Sequence, residues 1–307
     1  MAAREILNDL FFIERGYLNA NHFVFRSQAP VLIDTGYIGN LDQTRQLIAD
    51  LGVAPAEVRM IVSTHCHCDH VGGNRRFQEQ SGCDIALHKI GKHFMDTRND
   101  WSTWWRYYDQ EAEFFDGTLA LEDGQTIPIG PHAFNVIHTP GHAADGIVLY
   151  QADSRILISS DTLWERDMAV ITERVEGSKA LFEALESLDK LAALDVDWVY
   201  PGHGAPFNDM HGAIALSQKR INSYLKDRER LGADLLKRIF IYTLLMKRAV
   251  PEETFFSYLM NTHWFKETVD LYFNGEYEII FRQIRDGLIQ RDMVRRSDGT
   301  LVTTVKP

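Results

Sequence analysis

Six consecutive residues, His65-Cys66-His67-Cys68-Asp69-His70, restrict what this 307-residue chain can fold into more than any other stretch. Read as H-x-H-x-D-H, they place four metal-ligand side chains directly after the apolar run Met60-Ile61-Val62. Imidazole and carboxylate suit Zn²⁺ and its first-row neighbours, so the pattern predicts a metal site on the loop that follows a strand. A structural finger needs Cys pairs closed by His or Cys, and this cluster has the wrong composition for one. A catalytic site takes three protein ligands plus an open position, and ligands this close in sequence do not close such a site alone. The fold has to bring remote residues to the end of this strand.

Three later segments each end an apolar run with a ligand-type residue in a turn of small residues, two of them rich in Gly and Pro. Thr139-Pro140-Gly141-His142 follows residues 134–137, Ser159-Ser160-Asp161-Thr162 follows 156–158, and Pro201-Gly202-His203-Gly204 follows 198–200. Small residues at strand ends let side chains converge on one sheet edge, and glycine permits close backbone approach.

Short apolar runs bounded by turn signals predict strands at residues 10–13, 22–25, 31–33, 59–62, 84–87, 125–129, 134–137, 147–150, 156–158 and 198–200. Apolar spacing predicts helices at 40–51, closed by Gly52, and at about 178–193. Residues 89–115 read as helical and aromatic, with Trp101, Trp104, Trp105, Tyr107, Tyr108, Phe114 and Phe115. Strands flank helices once in each half, which points to a layered α/β body with two sheets rather than one doubly wound sheet. From 212 to about 260 the chain reads as nearly all helical, broken at Gly232 and Pro251, and a further helix covers 277–290. Asp298-Gly299 between two β-prone runs predicts a hairpin. Helices followed by a hairpin outline a winged-helix-like unit.

Charge supports a domain boundary here. The chain carries −11 overall, of which residues 1–211 contribute −15 and residues 212–307 contribute +4. The expected division is therefore 1–210 and 211–307. An acidic body disfavours long nucleic-acid tracts, while the basic tail leaves that partner open. No stretch approaches the ~18 apolar residues of a membrane helix, and Met1 to Glu5 lacks the apolar run of a signal peptide. Three cysteines, two inside the ligand motif, argue for a reducing compartment, with the cytoplasm as the expected location.

Taken in order, H-x-H-x-D-H, T-P-G-H, the S-x-D segment and P-G-H-G resemble the motif series of the metallo-β-lactamase-fold superfamily of binuclear metallohydrolases. Leu32-Ile33-Asp34-Thr35-Gly36 matches that family's first motif as well. The resemblance covers roughly residues 10–210. It implies an αββα sandwich, of the α/β layered class, holding two divalent ions: zinc first, with iron or manganese also suited. Carried over residue by residue, it gives His65, His67 and His142 to one ion and Asp69, His70 and His203 to the other, with Asp161 bridging. A metal-held hydroxide is then the implied nucleophile, with Asp69 orienting it or relaying a proton. Asp34 supports the ligand loop from behind.

Other residues carry competing readings. Cys66 and Cys68 occupy the variable positions of the motif and read as small packed side chains, as does Cys83. His22, His93, His132, His138, His211 and His263 lack motif context and read as structural. His88 either faces the site or is satisfied locally. Trp101, Trp104, Trp105 and Tyr108 line a substrate cleft, cover a dimer or domain contact, or fill core. Asp145 and Glu165 are further pocket candidates.

Fold and metals do not fix a substrate. The acidic body and the aromatic insertion favour a small-molecule ester, lactone or thioester. A second reading is a metal-dependent endoribonuclease or phosphodiesterase. Its tail arginines, Arg282, Arg285, Arg291, Arg295 and Arg296, would hold single-stranded RNA, against the plainer reading of a solvated helix face. The C-terminal architecture resembles that of the lactamase-beta-like endoribonuclease group and related thioesterases, while the basic glutathione-binding cluster of glyoxalase II relatives is not found. A third reading is a metal-retaining ligand-sensing or partner-binding protein. A homodimer is compatible with exposed aromatics, and no membrane partner is expected.

Overall fold

The computed structural model describes residues 3–307. Its first sheet has seven strands in sequence order: β1 (Arg4–Leu7), β2 (Leu10–Ile13), β3 (His22–Phe25), β4 (Val31–Ile33), β5 (Met60–Val62), β6 (Asp84–His88) and β7 (Leu119–Leu121). The pairs from β1 to β4 are antiparallel, and β4 to β7 run parallel. Parallel neighbours need crossovers, which supply α1 (Leu41–Ala49), α2 (Cys68–Val71), α3 (Asn74–Ser81) and α4 (Lys89–Asp96). The second sheet contains β8 (Thr126–Ile129), β9 (His132–His138), β10 (Ile147–Gln151), β11 (Ile156–Ser160) and β12 (Trp198–Pro201), ordered β12-β11-β10-β9-β8. Only β11 and β12 are parallel there, joined through α5 (Glu173–Glu176) and α6 (Ala180–Ala192).

The alternation of side chains along each strand decides what lies between the sheets. In β9, Phe134 and Val136 point inward, Ala133 and Asn135 are exposed, and Ile137 packs on the opposite face. With Phe12, Phe23, Ile33, Leu149, Ile158 and Tyr200 they fill one inter-sheet core. Ile48, Phe77 and Phe94 of α1, α3 and α4 pack with Ile61, Ile85 and Leu87 on the outer face of the first sheet. Leu181, Leu188 and Leu191 of α6 and Ile214 and Ile221 of α7 (Met210–Lys226) cover Val148, Leu157 and Val199 of the second. The layers are thus helix, sheet, sheet, helix.

Beyond α7 runs α8 (Arg228–Lys247), then β13 (Val250–Pro251), α9 (Glu252–Leu259), α10 (His263–Phe273), α11 (Tyr277–Gln290), β14 (Val294–Ser297) and β15 (Thr300–Thr303). The short strands form a third sheet ordered β13-β15-β14. At its hairpin, Asp298 and Gly299 both have left-handed backbones (φ 48° and 76°), as a two-residue turn of this kind requires. Leu236, Phe240 and Leu244 of α8 share one apolar cluster with helices α9 to α11 and with the outer face of the first sheet.

Two expectations change. Helix α4 stops at Asp96, and residues 97–118 run as turns because Arg98, Trp104 and Asp109 adopt left-handed backbones (φ 52°, 71° and 53°). The aromatic spacing serves burial of an irregular segment, with Trp104, Trp105, Tyr107 and Tyr108 all inside. The break expected at Gly232 falls instead at Asp227, whose extended backbone separates α7 from α8. Gly232 lies inside α8, where its missing Cβ makes room for the Tyr272 side chain, whose ring comes within 2.6 Å of the Cβ position. Strands β1 and β7 gave no sequence signal because they are largely exposed strands at the two edges of their sheet. Among the described residues no helix is long and apolar enough to cross a membrane.

Candidate metal centre and active-site cavity

Strand β5 ends at Val62, and the chain then runs extended through His65 and His67 before α2 carries Asp69 and His70. His142 stands on the β9–β10 loop, Asp161 directly after β11 and His203 two residues past the end of β12. Backbone hydrogen bonds lock these loops together: Ile147 N donates to Thr64 O, Ala20 N to Asp69 O and Asn21 N to Gly202 O. Gly202 is sterically required, since a Cβ there would stand 2.0 Å from Asp161 Oδ1.

The seven residues singled out from the sequence converge. Three groups, His65/His67/His142, His65/His70/Asp161 and Asp69/His70/His203, each bring one donor atom per residue within 4.8 Å of the others. Asp161 Oδ2 lies 3.4 Å from His142 Nε2, 3.5 Å from His70 Nε2 and 3.8 Å from His203 Nε2. Asp69 Oδ2 lies 3.1 Å from His203 Nε2.

The other ring nitrogens explain why these Nε2 atoms face inward. His142 Nδ1 donates to Val170 O at 2.6 Å, His203 Nδ1 to Gly16 O at 3.3 Å and His70 Nδ1 to Asp34 Oδ2 at 2.8 Å. A ring whose Nδ1 carries the proton presents an Nε2 lone pair. Nε2 of His65, His67, His70 and His142 is buried with no hydrogen-bond partner. Orphaned buried acceptors are costly, and four of them beside two carboxylates form a donor set that divalent first-row ions satisfy. The residues fit the metals the motifs imply.

Electrostatics divide the imidazoles into two kinds. Burial and the neighbouring imidazoles push His65 and His67 well below the ordinary range, so both are neutral donors. His142 is also lowered, chiefly by burial. Burial opposes charge on His70 and His203, yet Asp161 and the other nearby carboxylates raise both. Asp161, despite its burial, is held well below the carboxylate range by His203, His70 and His142.

A cavity opens on this cluster, lined on the ligand side by His67, Asp69, His142, Asp161 and His203. Trp104, Trp164, Ala169, Val170, Tyr17, Arg238, Ile239 and Tyr242 are among the residues that complete its wall. Of the aromatic candidates only Trp104 reaches it. Trp105 Nε1 donates to Cys66 O, Tyr108 is fully buried, and Trp101 packs on Tyr107 and His263. His88 stacks on His138, with ring centroids 4.1 Å apart, and does not line the cavity. Asp145 lies buried beside Cys66, its carboxyl pushed up to about 6 by burial, and Glu165 pairs with Arg166 on the surface. Cys66, Cys68 and Cys83 are buried and unoxidised. Tyr17, Gln110, Trp164, Arg238, Ile239 and Tyr242 had no motif to mark them; three of them come from α8, whose arrival at the site is a matter of tertiary packing.

The family model for the metallo-beta-lactamase superfamily matches residues 18–203. A hydroxyacylglutathione hydrolase of Rhizobium johnstonii is 31% identical over 182 residues, covering 58% of this chain and 61% of that protein. The acyl-coenzyme A thioesterase MBLAC2 of Homo sapiens is 28% identical over 194 residues, covering 53% of this chain and 67% of that one. The matched part thus spans about three fifths of the hydroxyacylglutathione hydrolase's own length. Among solved structures, a metallo-beta-lactamase family protein from Thermus thermophilus superposes with a TM-score of 0.63 at 18% identity, over 97% of this chain and 100% of that one. A metallo-beta-lactamase from Cronobacter sakazakii gives 0.60 at 21% identity, over 74% and 97%.

Proposed function

The chain belongs to the metallo-beta-lactamase superfamily, and from that premise we propose a metal-dependent hydrolase of small-molecule thioesters. One observation carries the reading: Asp161 Oδ2 stands between imidazoles of two adjoining ligand groups, within 3.4–3.8 Å of three Nε2 atoms. His65, His67 and His142 would hold one divalent ion, Asp69, His70 and His203 a second, and Asp161 both. Zinc is the first expectation, with iron or manganese suited to the same donors. Such a pair supplies Lewis-acid polarisation of a carbonyl and an activated water at neutral pH. The chain's own residues do the rest. Asp34, Val170 and Gly16 fix the ring tautomers, and Asp69, beside His203, is positioned to orient water or relay a proton. Trp104, Trp164, Ile239 and Tyr242 give the cavity an apolar lining beside these groups.

The substrates named in two relatives, hydroxyacylglutathione and acyl-coenzyme A, are both thioesters. The cavity suits an acyl group, being walled by aromatic and aliphatic side chains. Its lining cation, Arg238, is already matched by Asp167 and Asp234. The phosphodiesterase reading has less support. Arg282, Arg285, Arg295 and Arg296 each pair with a carboxylate of their own surface, Glu278, Glu252, Asp286 or Asp292. Among the described residues Arg291 alone of the five lacks one. The β13-β15-β14 order supports a winged-helix-like reading of the C-terminal unit. Its helix α8 contributes Arg238, Ile239 and Tyr242 to the cavity wall, so the C-terminal unit has a part in the proposed active site.

The test is purified, metal-analysed protein assayed against acyl-coenzyme A and acylglutathione thioesters, lactones, phosphodiesters and RNA. Thioester hydrolysis that disappears with His142→Ala and with a chelator is expected. Hydrolysis confined to phosphodiesters or RNA overturns the proposal.

A further inference from the structure

Trp104 holds a conformation that tryptophan seldom takes. Its backbone is left-handed, φ 71°, where a Cβ-bearing residue is strained. The indole lies over His67 with ring centroids 3.8 Å apart and planes 33° apart, and meets His142 edge-on at 4.9 Å. Tyr108 backs it at 5.2 Å. Strain of this kind persists only where the surroundings over-determine it, and here the anchor is identifiable. Trp104 Nε1 donates to Glu176 Oε1 at 2.5 Å, across 72 residues of sequence. Glu176 belongs to α5 and to no ligand group. Burial pushes its carboxyl up to about 8, so at neutral pH it is an uncharged acceptor.

The indole therefore forms the wall of the cavity beside His67 and His142, in a lining that also includes Ile239 and Tyr242 of α8. We propose that Trp104 limits the bulk of the acyl group admitted on that side, and that Glu176 is the positioning residue that fixes the indole there. Both statements rest on the thioesterase reading above. Thioesters with narrow, unbranched carbon next to the carbonyl slide flat along the indole, and branched or aromatic acyl groups collide with it. Without the Glu176 acceptor, residue 104 relaxes toward an ordinary backbone and the indole leaves His67.

Two readouts test this. In ¹⁵N-labelled protein, with and without metal, the Trp104 indole N–H resonance is identified by its loss in Trp104→Phe. It is expected to stay in place in Glu176→Gln, which keeps a neutral acceptor, and to shift in Glu176→Leu. In kinetics, the ratio of kcat/KM for a branched acyl-coenzyme A to that for acetyl-coenzyme A is expected to rise about tenfold or more in Trp104→Ala. It rises less in Glu176→Leu and stays within about twofold of wild type in Glu176→Gln. Should Trp104→Ala not fold, the Glu176→Leu ratio decides. An indole resonance that ignores Glu176→Leu removes the positioning role, whatever the enzyme does. Unchanged ratios in a wild-type-competent thioesterase overturn the specificity role alone, whereas metal-loaded wild type that cleaves no thioester overturns the functional reading and this one together.

Discussion

Asp34 and His70, 36 residues apart, share a 2.8 Å hydrogen bond in which the imidazole Nδ1–H donates to the carboxylate. The same carboxylate accepts from Thr64 N and Thr64 Oγ1, each at 2.8 Å. Asp34 lies just past the end of β4 with a left-handed backbone, φ 57°. One buried acid thus ties the first sheet to the ligand loop and sets which nitrogen of His70 faces Asp161.

Removing that acid frees the His70 ring to rotate and leaves its Nδ1 only the longer, 3.3 Å contact with Thr64 Oγ1. Groups that orient a metal-ligating imidazole typically contribute 10–100-fold in metal affinity. Asp34→Ala is expected to lose about that much at the weaker-binding equivalent, with Asp34→Asn intermediate because its amide oxygen still accepts. Competition against a chelator of known affinity measures it. Wild-type affinity in Asp34→Ala would remove Asp34 from the design of the site.

Gly232→Ala reverses an ordinary rule. Alanine in a helix interior is normally worth up to ~1 kcal/mol over glycine. Here the new methyl would stand 2.6–2.8 Å from the Tyr272 side chain, so overpacking of about 1–3 kcal/mol wins. Denaturant midpoints check the sign. Tyr272→Ala should absorb most of the penalty in the double variant, and strict additivity of the two changes would show the contact to be unimportant.

The contrast between these two sites marks what the sequence made legible. The seven converging side chains were readable because each lies in a segment that follows a strand, His142 and His203 in turns with Gly and Pro, and strand ends in a layered fold meet at one edge. Asp34 was readable for the same reason. Arg238, Ile239 and Tyr242 were not: α8 is buried on several sides, so no polar face advertises which residues meet the cavity. The helical expectation for residues 89–115 holds only to Asp96 because aromatic spacing reports burial, and a chain can bury aromatics on turns as well as on a helix. Gly232 looked like a breaker because its neighbour Tyr272 is forty residues away.

Glu176 gives stability a sign with pH. Its folded carboxyl stays protonated to about 8, against an ordinary value of 4.5. Across that window the folded state keeps a proton the unfolded chain has released, so this group's contribution is intact below 4.5 and is lost as pH rises toward 8. Glu176→Gln cannot ionise and escapes the loss. Unfolding free energies of both proteins, taken at about pH 5 and about pH 8, are expected to diverge in favour of Glu176→Gln at the higher pH. Parallel profiles would mean that the buried carboxyl titrates normally.

Arg238 links α8 to the ligand set through three acceptors. Its Nη2 donates to Asp167 Oδ1 at 2.6 Å, its Nε to Asp234 Oδ2 at 2.8 Å and its Nη1 to Met168 O at 3.0 Å. Two residues beyond Met168, the carbonyl of Val170 accepts from His142 Nδ1. Burial disfavours the guanidinium, but Asp234 and Asp167 more than compensate and keep it charged. Arg238→Ala leaves two partly exposed acids without their shared cation. The stability cost should fall between the ~1 kcal/mol of an exposed pair and the ~3–5 kcal/mol of a buried one. It also frees the loop that orients His142, so metal affinity should drop with stability. Arg238→Lys keeps the charge but lacks the fork that spans three acceptors, so it should recover stability more fully than affinity. A variant that loses stability yet binds metal like wild type would disconnect α8 from the metal centre and leave it only as a wall of the cavity.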